Sequence, residues 1–379
     1  MKVLYVSKAL VVAAYREKIR EMERLVAIRS VMPGRWGGEP PEPSPHGLLE
    51  PERVPVRLAG HNHLHHYARP ERWLGRPAPD LVHIDEEPYS LVTLQLARAC
   101  RRRGIPCLFF AWQNVQRRLP PPFGSVRTGV FRLVRGGIAG TDGAAVVLRA
   151  AGYTGPLAII PQFGVDPGRF KPDAEGRRRT LERLDIPETA FVIGYAGRLV
   201  PEKGVGKLLH AFIGLAPEPA DSVPPHLVII GAGPERHRLE AQARAAGVAD
   251  RVRFLGQLAS LEMPGALSAL DVLALPSVAT RTWSEQFGRV LVEAMACGVP
   301  VVGTSTGEIP TVVDGAGVLV PPGDVAALAG ALDRLRGSPD VRSILAERGR
   351  RRVLERYSHA EIARATADFY RRILDEDPS

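Results

Sequence analysis

A chain of 379 residues, 45% hydrophobic and 24% charged, exceeds one ordinary domain and can bury two cores. Its formal charge of +9 is uneven: residues 1–165 hold 23 Lys and Arg against 13 Asp and Glu, and the rest hold 27 against 28. Three cysteines, Cys100, Cys107 and Cys297, form neither a disulfide framework nor a metal-type spacing; the N-terminus does not read as a signal peptide and no apolar run is long enough to span a bilayer, so a reduced, cytoplasmic setting is expected.

In chain order, residues 2–7 ("KVLYVS") read as a buried parallel strand and residues 15–29 as a helix of mixed charge. Residues 34–55 are rich in Pro and Gly and read mostly as loop. A strand at 80–85 ("DLVHID"), a helix at 91–103 stopped by Gly104, and a strand at 105–112 ("IPCLFFAW") follow; residues 142–148 and 155–165 continue the alternation. The second half repeats it: strands at 191–197, 226–234, 251–258, 271–277, 299–304 and 316–322, with helices between, including 204–215 and one reaching about Ala246. Such alternation predicts an α/β protein of two Rossmann-like, doubly wound parallel sheets, with the change of halves near residues 159–173 and a cleft between the domains. Ligands of such sheets bind beyond the carboxyl ends of the strands.

Several strand-end segments carry chemistry. "YAGRLVPEKGV" sets Arg198 and Lys203 in a loop bounded by Gly197 and Gly204, a pattern that suits either a diphosphate or an ordinary solvated loop. "IIGAGPE" puts Gly231 and Gly233 on a turn that opens a helix, half of a dinucleotide fingerprint. "SEQFGRVLVEAMACGVPVVGT" carries Glu285 before a helix beginning near Gly288, and Glu293 within it among Val290, Leu291, Val292, Ala294, Met295 and Ala296. A lone acid in an apolar stretch needs a partner. One carboxylate of the pair can take a ribose diol and the other sugar hydroxyls.

In order, "GRLVPEKG", "GAGP", "FLG", "LPS", "EQFGRVLVEAMACGVPVVGTSTGEIPTVV" and "GVLVPPGD" resemble the retaining glycosyltransferases of family 4, whose fold is GT-B. The resemblance covers nearly all of residues 155–375; in the first half it rests on "PDLVHIDEEPYSL", "AWQN" and "IIPQFGVDPGRFKP". It implies an acceptor-binding domain at 1–165, a nucleotide-sugar-binding domain at 166–356, and a final helix at 357–379 that crosses back to the first domain. It also implies that Arg198 and Lys203 hold the donor diphosphate, Glu293 the ribose, and Glu285 with the Phe287 and Gly288 backbone the transferred sugar. Gly197 and Gly233 would lie near the nucleotide, and residues 256–258, Leu258 included, near the base.

The chain departs from the family pattern twice: "SKALVVAAY" has no glycine after the first strand, and Gln113 or Asn114 stands where many members carry a histidine. Neither amide is a base at neutral pH. Asp85, Glu86 and Glu87, just after a strand, are either acceptor-side groups or a solvated acidic loop.

The implied reaction is metal-free and needs no cofactor, the nucleotide-sugar being a co-substrate. Arg198, Lys203 and the helix end near Gly288 stabilise the leaving diphosphate while the acceptor hydroxyl attacks from the same face, retaining configuration. A double displacement through Glu285, a nucleotide-sugar hydrolase or phosphorylase, and a non-catalytic nucleotide-sugar-binding protein are the competing readings. The histidines of "HNHLHHY", His61, His63, His65 and His66, read as a loop lining the acceptor cleft or a plain polar loop rather than a metal site. Arg101, Arg102, Arg103, Arg117 and Arg118, with an amphipathic helix at 15–28, are the candidate contacts to an anionic membrane at the inner face; no nucleic-acid reader is recognisable.

Overall fold

The computed structural model describes residues 1–43, 50–75, 77–215 and 222–375; residues 44–49 of the expected 34–55 loop and the last four of the 357–379 segment lie outside the described residues. The chain divides into two compact units, one of Met1–Gly164 with His359–Ser379 and one of Val165–Ser358. Each is an α/β unit around a parallel sheet.

The first unit runs β1 (Lys2–Val6), α1 (Glu17–Glu23), β2 (Ala27–Pro33), β3 (Glu52–Val54), β4 (Val56–Arg57), β5 (His66–Tyr67), α2 (Glu71–Leu74), β6 (Leu81–Ile84), α3 (Leu91–Arg102), β7 (Cys107–Ala111), α4 (Phe123–Phe131), β8 (Gly136–Ala139), α5 (Asp142–Ala150) and β9 (Leu157–Ile159). Its main sheet has the order β3-β2-β1-β6-β7-β8-β9; β4 and β5 form a separate antiparallel pair. The central strands are continuous apolar runs because helices cover both faces: all of "LVHI" in β6 and "CLFFA" in β7 is buried. Strand order reverses between β1 and β6, so Ser7 and Lys8 meet Asp85, Glu86 and Glu87 at the carboxyl ends of the two strands.

The region 15–29 departs from its predicted helix. The helix stops at Glu23, and residues 27–33 are the strand β2, paired parallel to β1. Leu25 and Val26 turn the chain, with their N–H groups on the Met22 carbonyl. The amphipathic helix expected at 15–28 is therefore only seven residues long, and its apolar face is occupied. Ile19 and Met22 pack in one core with Ile362, Ala363 and Tyr370 of the closing helix, His359–Asp375. Lys18 is buried too, donating to the Tyr5 hydroxyl at 2.9 Å. Sequence reasoning also passed over β8 and α4, whose "RGGIAG" and "FGSVRTGVF" are too rich in glycine to show a clear period.

The second unit runs α6 (Ala174–Leu184), β10 (Val192–Ala196), α7 (Val205–Ile213), β11 (His226–Ile230), α8 (Arg236–Ala245), β12 (Val252–Gly256), α9 (Met263–Ser268), β13 (Val272–Leu275), α10 (Arg289–Ala296), β14 (Val301–Thr304), α11 (Ile309–Val313), β15 (Val318–Val320), α12 (Val325–Arg336) and α13 (Pro339–Arg356). Its sheet has the order β12-β11-β10-β13-β14-β15, all parallel, and reverses between β10 and β13. Among the described residues no helix is long and apolar enough to cross a membrane.

Candidate active site

The loops leaving β10 and β13 carry the principal constellation, at the reversal point of the second sheet. After β10 the chain passes Gly197 and Arg198, makes a single 3-10 turn at Pro201–Lys203, and enters α7 through Gly204. Gly204 has φ +70°, and a Cβ there would lie 2.0 Å from the Pro276 carbonyl oxygen. Only glycine permits this approach. It brings the two loops together, with the Val278 N–H donating to the Glu202 carbonyl at 2.8 Å. Lys203 Nζ then reaches Glu285 Oε2 at 2.7 Å, the two side chains 15% and 8% exposed. The Ser277 hydroxyl donates to the same oxygen at 2.8 Å. Lys203 also stands 5.2 Å from the centre of the Trp283 ring. Arg198 is exposed, and its carbonyl is held by the Tyr195 hydroxyl at 2.8 Å.

Glu285 is anchored from below by the loop after β14. The Glu308 N–H donates to the Glu285 carbonyl at 3.0 Å, and Thr304 donates to the Ser277 carbonyl at 2.6 Å. Gly307, φ +54°, fits because a Cβ would stand 2.1 Å from that Glu285 oxygen. Phe287 is buried, its ring against Tyr357 at 5.5 Å, so its side chain is an anchor of the unit. Gly288, φ +74°, opens α10. Glu293, one of the buried acids, is met by Arg289 one turn earlier, Nε to Oε1 at 2.8 Å. Burial pushes the Glu293 carboxyl up, against the pull of Arg289 and Arg169. That makes Glu293 a buried, Arg289-paired carboxyl on the helix rather than an ordinary surface acid.

The glycine turn after β11 has a structural reason of its own. A Cβ on Gly231 would lie 1.9 Å from the Gly197 carbonyl, and one on Gly233 2.4 Å from that of Leu199. The Gly231 N–H donates to Gly256 at 2.7 Å, where β12 slips by one residue. The loops after β10, β11 and β12 are thus stitched backbone to backbone, and Leu258 follows, half-buried. Ser277, Trp283, Arg289 and the 304–308 loop were not singled out from the sequence. "LPS" and "TSTGE" were the available signals, since both directly follow strands.

In the first unit the acids at the β6 end have distinct environments. Asp85 takes the Ser7 hydroxyl at 2.7 Å and the Gln162 amide at 2.8 Å. Glu86 is buried and salt-bridged to Lys8, with His65 Nε2 at 3.6 Å; burial pushes its carboxyl up, but Lys8 and His65 outweigh that and hold it below the usual range. Lys8 occupies the glycine-less position after β1. Glu87 Oε1 accepts the Trp112 and Gln113 N–H groups at 2.8 and 3.1 Å, and burial pushes this carboxyl up to about 7. Gln113, with its amide oxygen turned to Arg117, accepts from Nε at 2.6 Å and Nη2 at 3.0 Å. Asn114 follows in the same loop, half-buried. Glu87 and Gln113 therefore come together, while Glu86 faces Lys8 and His65.

The histidines do not converge: His63 pairs with Ser90 at 3.1 Å, His65 with the His61 carbonyl at 3.2 Å, and His66 with the Leu64 carbonyl at 3.3 Å. Among the described residues no group of three or more His, Cys, Asp or Glu side chains could hold a metal ion.

Comparison with known proteins fits this arrangement. The sequence model of Glycosyl transferases group 1 matches residues 176–352. A 2-deoxystreptamine glucosyltransferase of Streptomyces kanamyceticus is 30% identical over 312 residues, 78% of each chain. A D-inositol 3-phosphate glycosyltransferase of Saccharomonospora viridis is 34% identical over 219 residues, 56% of this chain and 49% of that protein. The match thus spans about half the length of that relative and of others with the same name. Among solved structures, a glycosyltransferase from Rickettsia africae superposes with TM-score 0.76 at 16% identity, covering 99% of both chains. The Anabaena protein HepE in complex with UDP-glucose does so with TM-score 0.74 at 20% identity, covering 98% of this chain and 100% of that one. These structures share the two-unit GT-B fold. The chain belongs to the glycosyl transferases group 1 family.

Proposed function

We propose that the chain transfers a hexose-type sugar from a nucleotide-diphosphate-sugar to an acceptor hydroxyl, with retention and without a metal ion. The observation that carries this reading is the convergence of Lys203 and Ser277 on Glu285 at the reversal point of the second sheet, with exposed Arg198 in the same loop as Lys203. Cleaving a sugar–diphosphate bond builds negative charge on the leaving oxygen. Exposed Arg198, Lys203 and the N-terminal end of α10 supply the countercharge without bringing in a metal. Lys203 exchanges its Glu285 partner for the diphosphate, and Glu285, still held by Ser277, turns to hydroxyls of the transferred sugar. The departing phosphate oxygen takes the acceptor proton, so no protein nucleophile is required. Glu293 takes the ribose diol. HepE, a neighbour in fold, is solved with UDP-glucose, which supports a nucleotide-sugar as donor. Acceptor-side groups are sought in Glu86, Glu87, Gln113 and Asn114 of the first unit.

Thermal-shift titration with UDP-, GDP- and ADP-sugars tests the donor. One nucleotide class should raise Tm, and Glu293→Ala should remove most of that rise. Arg198→Ala should leave Tm of the free protein unchanged and weaken the shift about tenfold in ligand concentration, near 1.4 kcal/mol. Stabilisation by no nucleotide-sugar would refute the reading. Donor cleavage that proceeds at full rate without any added alcohol would favour a hydrolase.

A further inference from the structure

The loop from β13 to α10 is pinned on both sides of its tip. The Val278 N–H donates to the Glu202 carbonyl at 2.8 Å, and the Glu285 carbonyl accepts the Glu308 N–H at 3.0 Å. Between these anchors Thr280, Arg281 and Thr282 are exposed, and Trp283 is half-buried. A closed turn fixes the tryptophan backbone: the Thr280 N–H donates to the Trp283 carbonyl at 2.8 Å, and the Trp283 N–H donates to the Thr280 hydroxyl oxygen at 3.0 Å. From this fixed position the Trp283 ring faces Lys203, whose Nζ stands 5.2 Å from the ring centre.

Lys203 thus has two partners of different kinds, the Glu285 carboxylate at 2.7 Å and the indole face. The carboxylate neutralises the ammonium. The ring attracts it through its quadrupole and leaves its full charge available to an anion. We infer that Trp283 is a positioning residue for transfer: it keeps the Lys203 ammonium in place while the donor diphosphate takes over from Glu285. The inference rests on the transferase reading and deepens it. An ammonium on a flexible four-carbon stem is poorly placed once its carboxylate leaves, and a rigid aromatic face restricts it without neutralising it. The Lys203 side chain is only 15% exposed, so little water competes for it. Trp283 acts through Lys203 rather than on the sugar.

Two measurements on the full chain test it. Trp283 is the one tryptophan of residues 165–358, the others being Trp36, Trp73 and Trp112. Inorganic pyrophosphate should therefore change tryptophan emission in the parent, and the change should vanish in Trp283→Phe and in Lys203→Met. The second measurement is nucleotide release from whichever of UDP-, GDP- or ADP-glucose stabilises the parent. Trp283→Leu should lower kcat about tenfold and leave KM within about threefold, because the leaving oxygen gains its charge in the transition state. Trp283→Phe, which restores an aromatic face, should recover most of kcat. In Lys203→Met, adding Trp283→Leu should lower kcat no further. A parental kcat in Trp283→Leu overturns the inference, as do a Phe variant as slow as the Leu variant and an equal further loss in the Lys203→Met background. Parental emission that pyrophosphate leaves unchanged, or a change that Lys203→Met leaves intact, overturns it too. Should no nucleotide-sugar be turned over, the transferase reading falls, and the pyrophosphate emission still decides whether Trp283 and Lys203 act together at an anion site.

Discussion

Removing the ammonium of Lys203 separates its structural role from its chemical one. In Lys203→Met the Glu285 carboxylate, its side chain 8% exposed, keeps the Ser277 hydroxyl but loses its ion partner at 2.7 Å. Breaking a buried pair from one side typically costs about 3–5 kcal/mol, because the remaining charge is stranded. Ser277 remains as a donor, so the lower end applies, about 3 kcal/mol. Glu285→Gln alone should cost about 1 kcal/mol, since Lys203 is the more exposed partner and can turn to water. The double variant should cost only about 1 kcal/mol, recovering most of the loss, which is a coupling of about 3 kcal/mol between the two positions. Urea unfolding of the four proteins reads these values directly. Turnover should follow a different pattern. Lys203→Met and the double variant should both lose at least ~100-fold, near 2.7 kcal/mol of charge stabilisation. Recovery of turnover together with stability in the double variant would show that the pair only holds the loops together. A Lys203→Met protein as stable as the parent would refute the geometry.

Glu87 makes stability pH-dependent. With the folded carboxyl pushed up to about 7 from an ordinary value of 4.5, the folded state keeps a proton that the unfolded chain has released. Stability therefore falls as pH rises through that window, by about 3 kcal/mol in all. Lys8, Glu86, Tyr89 and Arg117 are the other titratable groups facing it. Glu87→Gln should flatten the decline between about pH 5 and 8 in denaturant titrations; an unchanged slope would assign the decline elsewhere. Gly307→Ala places a methyl 2.1 Å from the Glu285 carbonyl at φ +54°, so the loop must shift. A loss of about 2 kcal/mol or more in thermal unfolding, with weaker donor stabilisation, is expected; a neutral substitution would mean that the two loops are not in contact.

Sheet content was plain wherever strands are central. "FVIGYAG", "HLVIIGAGP" and "DVLALPS" hold continuous apolar runs because parallel strands are covered on both faces; the first and third hold a strand within two residues of the predicted ends, and the second starts at the predicted His226 but stops at Ile230, where the glycine turn begins. β2 was lost because "AIRSVMP" follows a charged helical run closely, and period alone does not mark the turn at Leu25 and Val26. The same short turn removed the interfacial helix: once the chain reverses there, Ile19 and Met22 face the closing helix rather than a surface.

Residue types and their order along the chain thus determined two doubly wound units, the positions of Arg198, Lys203 and Glu285 in loops that follow strands and of Glu293 within a helix, and membership of a transferase family, since periodicity and Gly-bounded loops are local properties. Pairings across long separations were decided only by the tertiary structure. Lys203 meets Glu285 over 82 residues of chain, and Glu87 anchors the loop of Trp112 over 25. The electrostatic condition of each acid is likewise a product of what the fold packs around it. Glu86 and Glu87 are neighbours in sequence, yet Lys8 draws one down while burial lifts the other to about 7. Burial and distance set the energy of a charge, and neither exists until the chain has folded.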